Sequence, residues 1–375
     1  MDRILRFVKK EAMLVVAIIA AVVSMFITPP DVALIGKIDW RTLATLFMLL
    51  SVLDGFKSEN LFLPVIKFTD RIGTQIGLSF FLVYGVFFTS MFVTNDVSLI
   101  IFVPLTIMLF RGRKTEKYIL PILAMENIAA IRGSLLTPFG SPQNLFLYSN
   151  SGIDFGSFIL MMLPLCAGSF LLIAIFILFI YRDILGRDRA VITSTTDVWE
   201  KDRRVKRIVY LVLFAVVIAS IITRTQFWPY ITAFVVVTLL IFDRNVFRRV
   251  DYALLGTFLC FFVFSSSLAS NTAIAAFLSE TVAGHEYIWS IGISQIISNV
   301  PASIVLWPFT TNLKALIYGL DSAGLVTVIG SLASVINLRI YTREYPGRGR
   351  DFMIVFEKVS LAFFIIVVFL QLLLL

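Results

Sequence analysis

The sequence predicts an all-α polytopic membrane protein made of two inverted-topology repeats, each with a re-entrant hairpin and an unwound, discontinuous transmembrane helix. Three observations lead to this prediction. Of 375 residues, 59% are hydrophobic and 15% are charged, whereas soluble domains carry about 25% charge. Apolar runs approaching the roughly 20 residues that span a bilayer recur along the chain. Motifs that place polar residues between such runs occur twice, in the same order.

The first repeat, with its N-terminal helix, is assigned to residues 1–181. Its membrane segments are predicted near residues 12–29, 40–56, 59–69, 74–92, 96–110, 118–150 and 155–181. A basic stretch without apolar periodicity at 182–207 predicts a cytoplasmic linker. The second repeat is assigned to residues 208–375. Its segments are predicted near residues 208–223, 227–242, 251–269, 271–283, 287–310, 315–341 and 352–375.

The basic residues predict the topology. A net charge of +8 is compatible with nucleic-acid binding, but the Lys and Arg residues cluster in loops, so we expect a lipid bilayer and no nucleic acid as partner. The positive-inside rule makes the N-terminus cytoplasmic, and the first apolar run is expected to be a retained helix. The C-terminus is predicted outside, as in a multi-pass protein of a cell inner membrane. With this topology, segments 76–110 and 285–313 must each contain a re-entrant hairpin.

An internal repeat supports the hairpins. Residues 94–106 align without gaps on residues 298–310, and both copies separate an Asn from a later Pro by nine residues. Upstream, Asp39 and Asp251 each precede an aromatic residue and are predicted on opposite sides of the membrane. The copies therefore run in opposite directions, an arrangement common in secondary transporters.

The hairpin tips are the first candidate site. Thr94, Asn95 and Asp96 form one tip, and Ser298 and Asn299 form the other. Non-helical backbone at membrane depth is tolerated where it lines a cavity, and its carbonyls can then hold a cation. The helix that follows each tip directs its N-terminal amides at an anion. Na⁺ is expected at Asn95, Asp96 and Asn299; the alternative is that each Asn only caps a helix.

Two predicted breaks in helices are the second candidate site. The candidate ligands share small or hydrogen-bonding side chains, or a proline, and are Thr137, Pro138, Gly140, Ser141 and Asn144 in the first half and Gly330, Ser331 and Ser334 in the second. Two prolines remove helical donors in the first copy, so its helix must unwind and restart near Gln143. The freed oxygens suit Na⁺. The alternative is a proline kink without a ligand.

Three ionisable residues fall in or near predicted spans, where charge is costly and therefore indicates function. They are Asp96, Glu126 and Arg132. Asp96 is a candidate to bind Na⁺ or carry a proton. Arg132 is expected either to neutralise a substrate anion or to pair with Asp96 or Glu126.

These motifs carry a family resemblance. The stretches TNDVSLIIFVPL, TPFGSPQNLFLY, SNVPASIVLWP and GSLASVINL resemble the hairpin-tip and unwound-helix motifs of the arsenite-permease, citrate-transporter and divalent-anion/sodium symporter superfamily. The resemblance implies scaffold helices beside a mobile transport unit, an elevator-like movement and often a homodimer. The dicarboxylate branch reads Ser-Asn-Thr at its tips, whereas Asp96 and Val300 hold the third position here. The tips are thus more similar to the arsenite-permease and citrate-transporter branches.

The sequence predicts a cation-coupled secondary transporter and not an enzyme. No GxxxxGK[ST] phosphate loop is present, so transport must run on a gradient. The expected substrate is a small carboxylate or oxyanion, coupled to Na⁺ or H⁺ and without a cofactor. One alternative is a Na⁺/H⁺ antiporter with Asp96 as the exchanging carboxylate. Others are a passive channel and an intramembrane protease or lipid-group transferase that uses Ser134 or Ser141 with His285.

Overall fold

The computed structural model describes residues 12–29, 36, 38–59, 61, 69, 72–111, 116–184 and 204–375. These residues form sixteen α-helices joined by turns. The helices of the first half are α1 (Ala12–Ile27), α2 (Trp40–Ser58), α3 (Gln75–Val93), α4 (Asn95–Phe110), α5 (Ile119–Ser134), α6 (Pro142–Ser151) and α7 (Phe155–Ile180). Those of the second half are α8 (Arg204–Thr223), α9 (Trp228–Asp243), α10 (Tyr252–Ser270), α11 (Thr272–Val282), α12 (Glu286–Ile297), α13 (Asn299–Leu306), α14 (Leu313–Ala323), α15 (Leu332–Glu344) and α16 (Gly349–Leu374).

The long helices confirm a polytopic membrane protein. Within the described residues, six stretches are long and apolar enough to cross a membrane, namely α3, α7, α8, α9 with the turn after it, α10 and α16. The helices α7 and α16 have 26 residues each, about 39 Å at a rise of ~1.5 Å per residue. Their outer faces expose Leu171 and Phe369, as expected for surfaces in contact with lipid tails.

Other helices are too short to span. The helix α12 has 12 residues and α13 has eight, about 18 Å and 12 Å at ~1.5 Å per residue, against a hydrocarbon core of about 30 Å. Ser298 alone links them, as Thr94 alone links α3 to α4, and within each pair the helices pack against each other. Re-entry of these pairs from opposite sides stays a prediction.

The two halves repeat one order of helices. The carboxylates of Asp39 and Asp251 cap α2 and α10 by accepting the N–H of Thr42 and Leu254, each at 2.9 Å. After these caps, α3–α4, α5–α6 and α7 correspond in order to α12–α13, α14–α15 and α16. The repeat motifs found in the sequence therefore lie at equivalent points of two similar helix series.

Packing sorts the helices into two bundles. The helices α1, α2, α8, α9 and α10 pack together and are called the scaffold bundle. The helices α3–α7 and α12–α16 pack around α5 and α12 and are called the bundle of broken helices. The two halves also pack directly against each other: α4 of the first half contacts α15 of the second, and α6 of the first half contacts α13 of the second. The broken helices of both halves therefore form one unit.

Some predicted segments lie outside the described residues, and one helix begins earlier than predicted. The segment predicted at 59–69 lies outside the described residues except for Glu59, Leu61 and Thr69, and so do residues 1–11 and 185–203. The helix α8 begins at Arg204, before the predicted start at residue 208. The reason is that Arg207 is buried and its Nε donates to the Glu59 carbonyl at 3.0 Å, so this basic residue is satisfied inside a helix rather than in the linker.

Candidate functional site

The two tips share an unusual backbone conformation. Thr94 has φ 74° and ψ 151°, and Ser298 has φ 68° and ψ 160°. This region is nearly exclusive to glycine and costs about 1–3 kcal/mol for other residues. Asn95 and Asn299 are the first helical residues of α4 and α13 rather than N-caps, and the preceding hydroxyls make no capping bond. The Asn95 side chain still bonds at the start of α4, because its Oδ1 accepts the Asp96 N–H at 2.9 Å, so capping remains an alternative to ion binding at this tip.

The predicted breaks are present in both halves. The helix α5 ends at Ser134 and the chain becomes helical again at Pro142, one residue before the predicted restart. Ser141 caps the new helix by accepting the N–H of Asn144 at 3.3 Å. Thr137 and Pro138 lie in the turns between the two helices. In the second half the interruption separates α14 from α15.

Each break requires a glycine because the chain folds back on the helix end. A Cβ on Gly140 would lie 2.3 Å from the carbonyl oxygen of Ser134, and one on Gly330 would lie 2.1 Å from that of Ala323. Real Cβ contacts are not this short, and the obstacle is backbone. The Gly-Ser step shared by the two copies is thus a packing requirement as well as a candidate ligand.

The first tip is bound to the first break. The Asn95 N–H donates to the Gly140 carbonyl at 3.1 Å, and the Thr137 hydroxyl donates to the carbonyl of Met91, three residues before the tip. Asn144 reaches back to the helix end, with its Nδ2 3.2 Å from the Ser134 carbonyl oxygen. Tip and break therefore form one rigid group.

The second half repeats these ties with other atoms. Gln295, three residues before the second tip, donates through Nε2 to the Ala323 carbonyl at 3.1 Å and accepts the Thr327 hydroxyl at 2.7 Å. The Ser334 hydroxyl lies 3.4 Å from the Gly324 carbonyl oxygen, as Asn144 does to its own helix end. Ser331 and Asn299 are buried at 1% and 2% exposure.

A cavity of about 190 Å³ lies at the first tip, between the two bundles. Three helix beginnings line it, through Thr94 and Asp96 of α4, Pro142 of α6 and Leu332 of α15. The second tip is not among its lining residues. The structure thus brings part of both breaks and one tip to a single space.

Charged residues from the scaffold bundle complete this cavity. They are Asp54 and Lys57 at the end of α2 and Arg249 and Asp251 before α10. Arg249 bridges two carboxylates, with Nε 2.5 Å from Asp54 Oδ2 and Nη2 3.3 Å from Asp243 Oδ2. Burial acts to lower the pKa of Arg249, but these two carboxylates outweigh it and raise the pKa. Arg249 is thus a fixed cation of the cavity wall.

Arg132 has a different partner from those predicted. Its Nη1 lies 2.5 Å from Asp321 Oδ2, with 0% and 2% of the two side chains exposed, and its Nη2 donates to the Ser322 hydroxyl at 3.1 Å. Neither Asp96 nor Glu126 pairs with it. The prediction considered only first-half carboxylates, whereas α5 and α14 bring a second-half aspartate to this guanidinium. Asp321 is a buried ionisable residue that the sequence analysis missed.

The other two ionisable residues predicted in spans, Glu126 and Asp96, each have one carboxylate oxygen without a partner among the described residues. Glu126 accepts the Thr106 hydroxyl through one oxygen, and its Oε2 has no hydrogen-bond partner. The Oδ1 atom of Asp96 is likewise buried without a partner.

The residues considered for an intramembrane enzyme do not form a catalytic group. The Ser134 hydroxyl donates to the Ile131 carbonyl at 3.0 Å, and the Ser141 hydroxyl caps α6. His285 is exposed at the start of α12 and bonds to neither serine.

Comparisons with known proteins indicate a membrane transporter. A family model described as citrate transporter matches residues 4–330. The chain is 32% identical over 313 residues to the inner membrane protein YbiR of Escherichia coli strain K12. It is 29% identical over 309 residues to the uncharacterized transporter MJ0456 of Methanocaldococcus jannaschii. Each match covers 81% of this chain and 81% of the relative.

Proposed function

The chain belongs to the citrate transporter family, and from that premise we propose that it is a secondary active transporter that moves a small carboxylate or oxyanion together with Na⁺ or H⁺. The observation that carries the proposal is the cavity at the first tip, where α4, α6 and α15 all begin. Helix N-termini present free N–H groups and a partial positive charge of about half a unit each. Three of them around one space favour a bound anion.

Charge in and near the cavity supports coupling to a cation. The lining has three carboxylates, Asp54, Asp96 and Asp251, against the cations of Lys57 and Arg249. Arg132 adds no free charge because Asp321 neutralises it. An anion entering this space therefore gains from a cation that binds with it, and the unpartnered Oδ1 of Asp96 is a suitable ligand.

We also propose that the transport cycle moves the bundle of broken helices against the scaffold bundle, in an inverted-repeat arrangement with two re-entrant hairpins. A second cavity, of about 450 Å³, supports this idea. It is lined by Asp39, by Ser265 and Ser266 of α10, and by Ile304 and Trp307 near α13. In the repeat, Asp39, Ser265, Ser266 and Ile304 correspond to Asp251, Leu53, Asp54 and Ile100, which line the first cavity. One cavity for each side is what alternating access requires. Assembly as a homodimer belongs to the same proposal.

A Na⁺/H⁺ antiporter is the second candidate. It is favoured by Asp96, whose carboxylate faces the cavity and has a buried oxygen without a partner among the described residues. In that mechanism, Na⁺ and a proton alternate on this carboxylate and no anion moves.

Uptake into proteoliposomes tests the proposal. Labelled carboxylates and oxyanions are offered under an imposed Na⁺ gradient and, separately, a pH gradient. We expect one anion class to accumulate, and Asn95→Ala and Asn299→Ala to abolish uptake without unfolding the protein. Asn271→Ala is the matched control, because Asn271 caps α11 away from both tips and its loss leaves uptake intact.

The outcomes separate the candidates. Wild-type uptake in both tip variants contradicts the site assignment. Proton movement that depends on Na⁺ in the absence of any anion replaces symport with the antiporter. Flux that never exceeds the imposed gradient indicates a passive channel.

A further inference from the structure

A buried polar cluster lies where α4, α5 and α15 pack against one another, away from both tips. Its members are Glu126, Asn127, Ser334 and Asn337, all at 0% exposure. Two hydrogen bonds join the halves across it: Asn127 Nδ2 donates to the Ser334 hydroxyl at 2.9 Å, and Asn337 Nδ2 donates to the Leu123 carbonyl at 2.8 Å. We call these four residues the α5/α15 cluster.

Three oxygen atoms of the cluster have no partner. Glu126 Oε2, Asn127 Oδ1 and Asn337 Oδ1 are buried and accept no hydrogen bond within the part of the chain that the structure describes. Both carboxamides use their NH₂ groups as donors and leave their oxygens free. A buried acceptor without a donor is unfavourable because the desolvation of the oxygen is not offset, so three together need an explanation.

No basic side chain supplies the missing charge. Glu126 forms no ion pair in the described chain, and Arg132, six residues on in α5, is held by Asp321 and Ser322. Burying a carboxylate without a counter-charge is strongly unfavourable. The Thr106 hydroxyl satisfies only Oε1.

The equivalent crossing in the other half shows that packing alone does not require this polarity. There α14 meets α6. Aligning the breaks through their Gly-Ser steps places Leu316 opposite Glu126, Ile317 opposite Asn127 and Leu147 opposite Asn337. All three apolar counterparts are buried at 0% exposure. The same helix geometry is thus filled with aliphatic side chains on one side and with oxygen ligands on the other.

We propose that the α5/α15 cluster binds a small monovalent cation of the size of Na⁺, with the carboxylate of Glu126 and the carboxamide oxygens of Asn127 and Asn337 as ligands. Carboxylate, carbonyl and hydroxyl oxygens are the ligands that hard cations prefer. The bound ion neutralises Glu126 and satisfies the free oxygens. Its role as the coupling ion rests on the proposed function, whereas the binding itself does not.

Because the ligands come from both halves, binding fixes α5 of the first half against α15 of the second. A cation here therefore stabilises one arrangement of the bundle of broken helices. This effect is measurable without knowing the substrate.

The experiment follows thermal unfolding of the purified full-length chain in detergent as NaCl replaces choline chloride at constant ionic strength. We expect the midpoint of the wild type to rise and saturate with Na⁺. Glu126→Gln, Asn127→Leu and Asn337→Leu should each weaken the apparent affinity about tenfold or more. Ile317→Val, at the position equivalent to Asn127, should keep the wild-type response.

Two further variants make the result decisive. Glu126→Asp retains the charge on a shorter side chain and should give an intermediate affinity, which shows that folding is intact if Glu126→Gln is unstable. Asn299→Ala removes a predicted tip ligand and should abolish transport. A Na⁺ response that persists in Asn299→Ala but is lost in Glu126→Gln comes from the α5/α15 cluster and not from the tips, so failure of the proposed function and failure of the cation site are distinguishable. A wild type without a Na⁺ response, or ligand variants that respond like the wild type, would overturn the proposal.

Discussion

The two halves of the molecule share backbone features at their tips and breaks but carry different side chains there. Thr94 and Ser298 have nearly equal φ and ψ, and Gly140 and Gly330 make the same close approach to a helix end. The side chains beside these points differ, however, because Asp96 in the first tip is replaced by Val300 in the second. The breaks are thus duplicated, whereas the carboxylate of the first tip is not.

The cost of burying charge is a physical reason for a carboxylate to be present in only one of the two tips. A break in a helix frees amides and carbonyls in both halves, and each half satisfies part of them locally. A carboxylate at membrane depth adds a cost that only a specific partner offsets. Arg132 and Asp321 meet this requirement by pairing across the two halves, and the remaining carboxylates of the first half lie beside the proposed cation sites.

The largest expected effect comes from breaking the pair that joins the halves. Arg132→Met leaves Asp321 buried without a counter-charge and should lower the free energy of unfolding by about 3–5 kcal/mol. The double variant Arg132→Met/Asp321→Leu removes both charges and should recover most of this loss. Chemical unfolding in detergent measures both, and a double variant no more stable than the single one would show that the pair is not the cause.

The next effect tests whether the halves really share their geometry. Gly140→Ala and Gly330→Ala each force a Cβ against backbone and should cost about 1–3 kcal/mol, by similar amounts. Gly292→Ala is the control, because a Cβ there meets nothing within 4 Å. Thermal midpoints compare the three. A loss confined to one half would show that the breaks are not equivalent.

A smaller effect of opposite sign is expected at the tips. Thr94→Gly and Ser298→Gly relieve a conformation that suits glycine, so each should raise stability by about 1 kcal/mol. Uptake should fall for Thr94→Gly because its hydroxyl lines the cavity. Thr74→Gly is the matched control, since Thr74 has φ −124° and caps α3 through its hydroxyl. Thr74→Gly should be slightly less stable than the wild type. If the change in stability has the same sign at all three positions, the tips are not strained.

The smallest expected effect concerns the N-terminal caps of the two longest helices, α7 and α16. Hydrogen bonds from the hydroxyl and N–H of Ser157 lower the pKa of Asp154, the exposed N-cap of α7, whereas Arg348 makes no side-chain cap for α16. A lowered pKa stabilises the fold at pH values above the unfolded pKa of about 3.9, and the gain disappears as the pH falls through the folded pKa. The midpoints of the wild type and Asp154→Asn should therefore converge below about pH 4. A difference between the two midpoints that stays constant with pH would show that titration of Asp154 does not affect stability.

Residue patterns within one segment were enough to predict much of this architecture. The tips at Thr94 and Ser298 and the restart at Pro142 follow from polar and proline residues inside apolar runs, which have local consequences. The helical start of α8 at Arg204 was missed because a buried hydrogen bond to a distant carbonyl outweighs a basic composition.

The Arg132–Asp321 pair and the α5/α15 cluster could not be predicted because they depend on which helices pack against each other. Asp321 lies in an apolar run of the second half, and nothing near it in sequence shows that Arg132 will face it. Asn127 and Asn337 are neutral residues, and nothing in their sequence neighbourhood predicts a shared site. The packing of α5 on α15 places them together with unpartnered oxygens. A carboxylate in one half and an arginine in the other, each in a predicted span, was the available signal for the ion pair.

The long separation between Arg132 and Asp321 also affects how the chain is made. The two residues are 189 positions apart, and a ribosome adds about 5–20 residues per second. Arg132 therefore leaves the ribosome about 10–40 s before the carboxylate that neutralises it has been synthesised. During that interval the nascent first half carries a guanidinium without its aspartate partner, so this ion pair can form only after Asp321 in α14 has been synthesised.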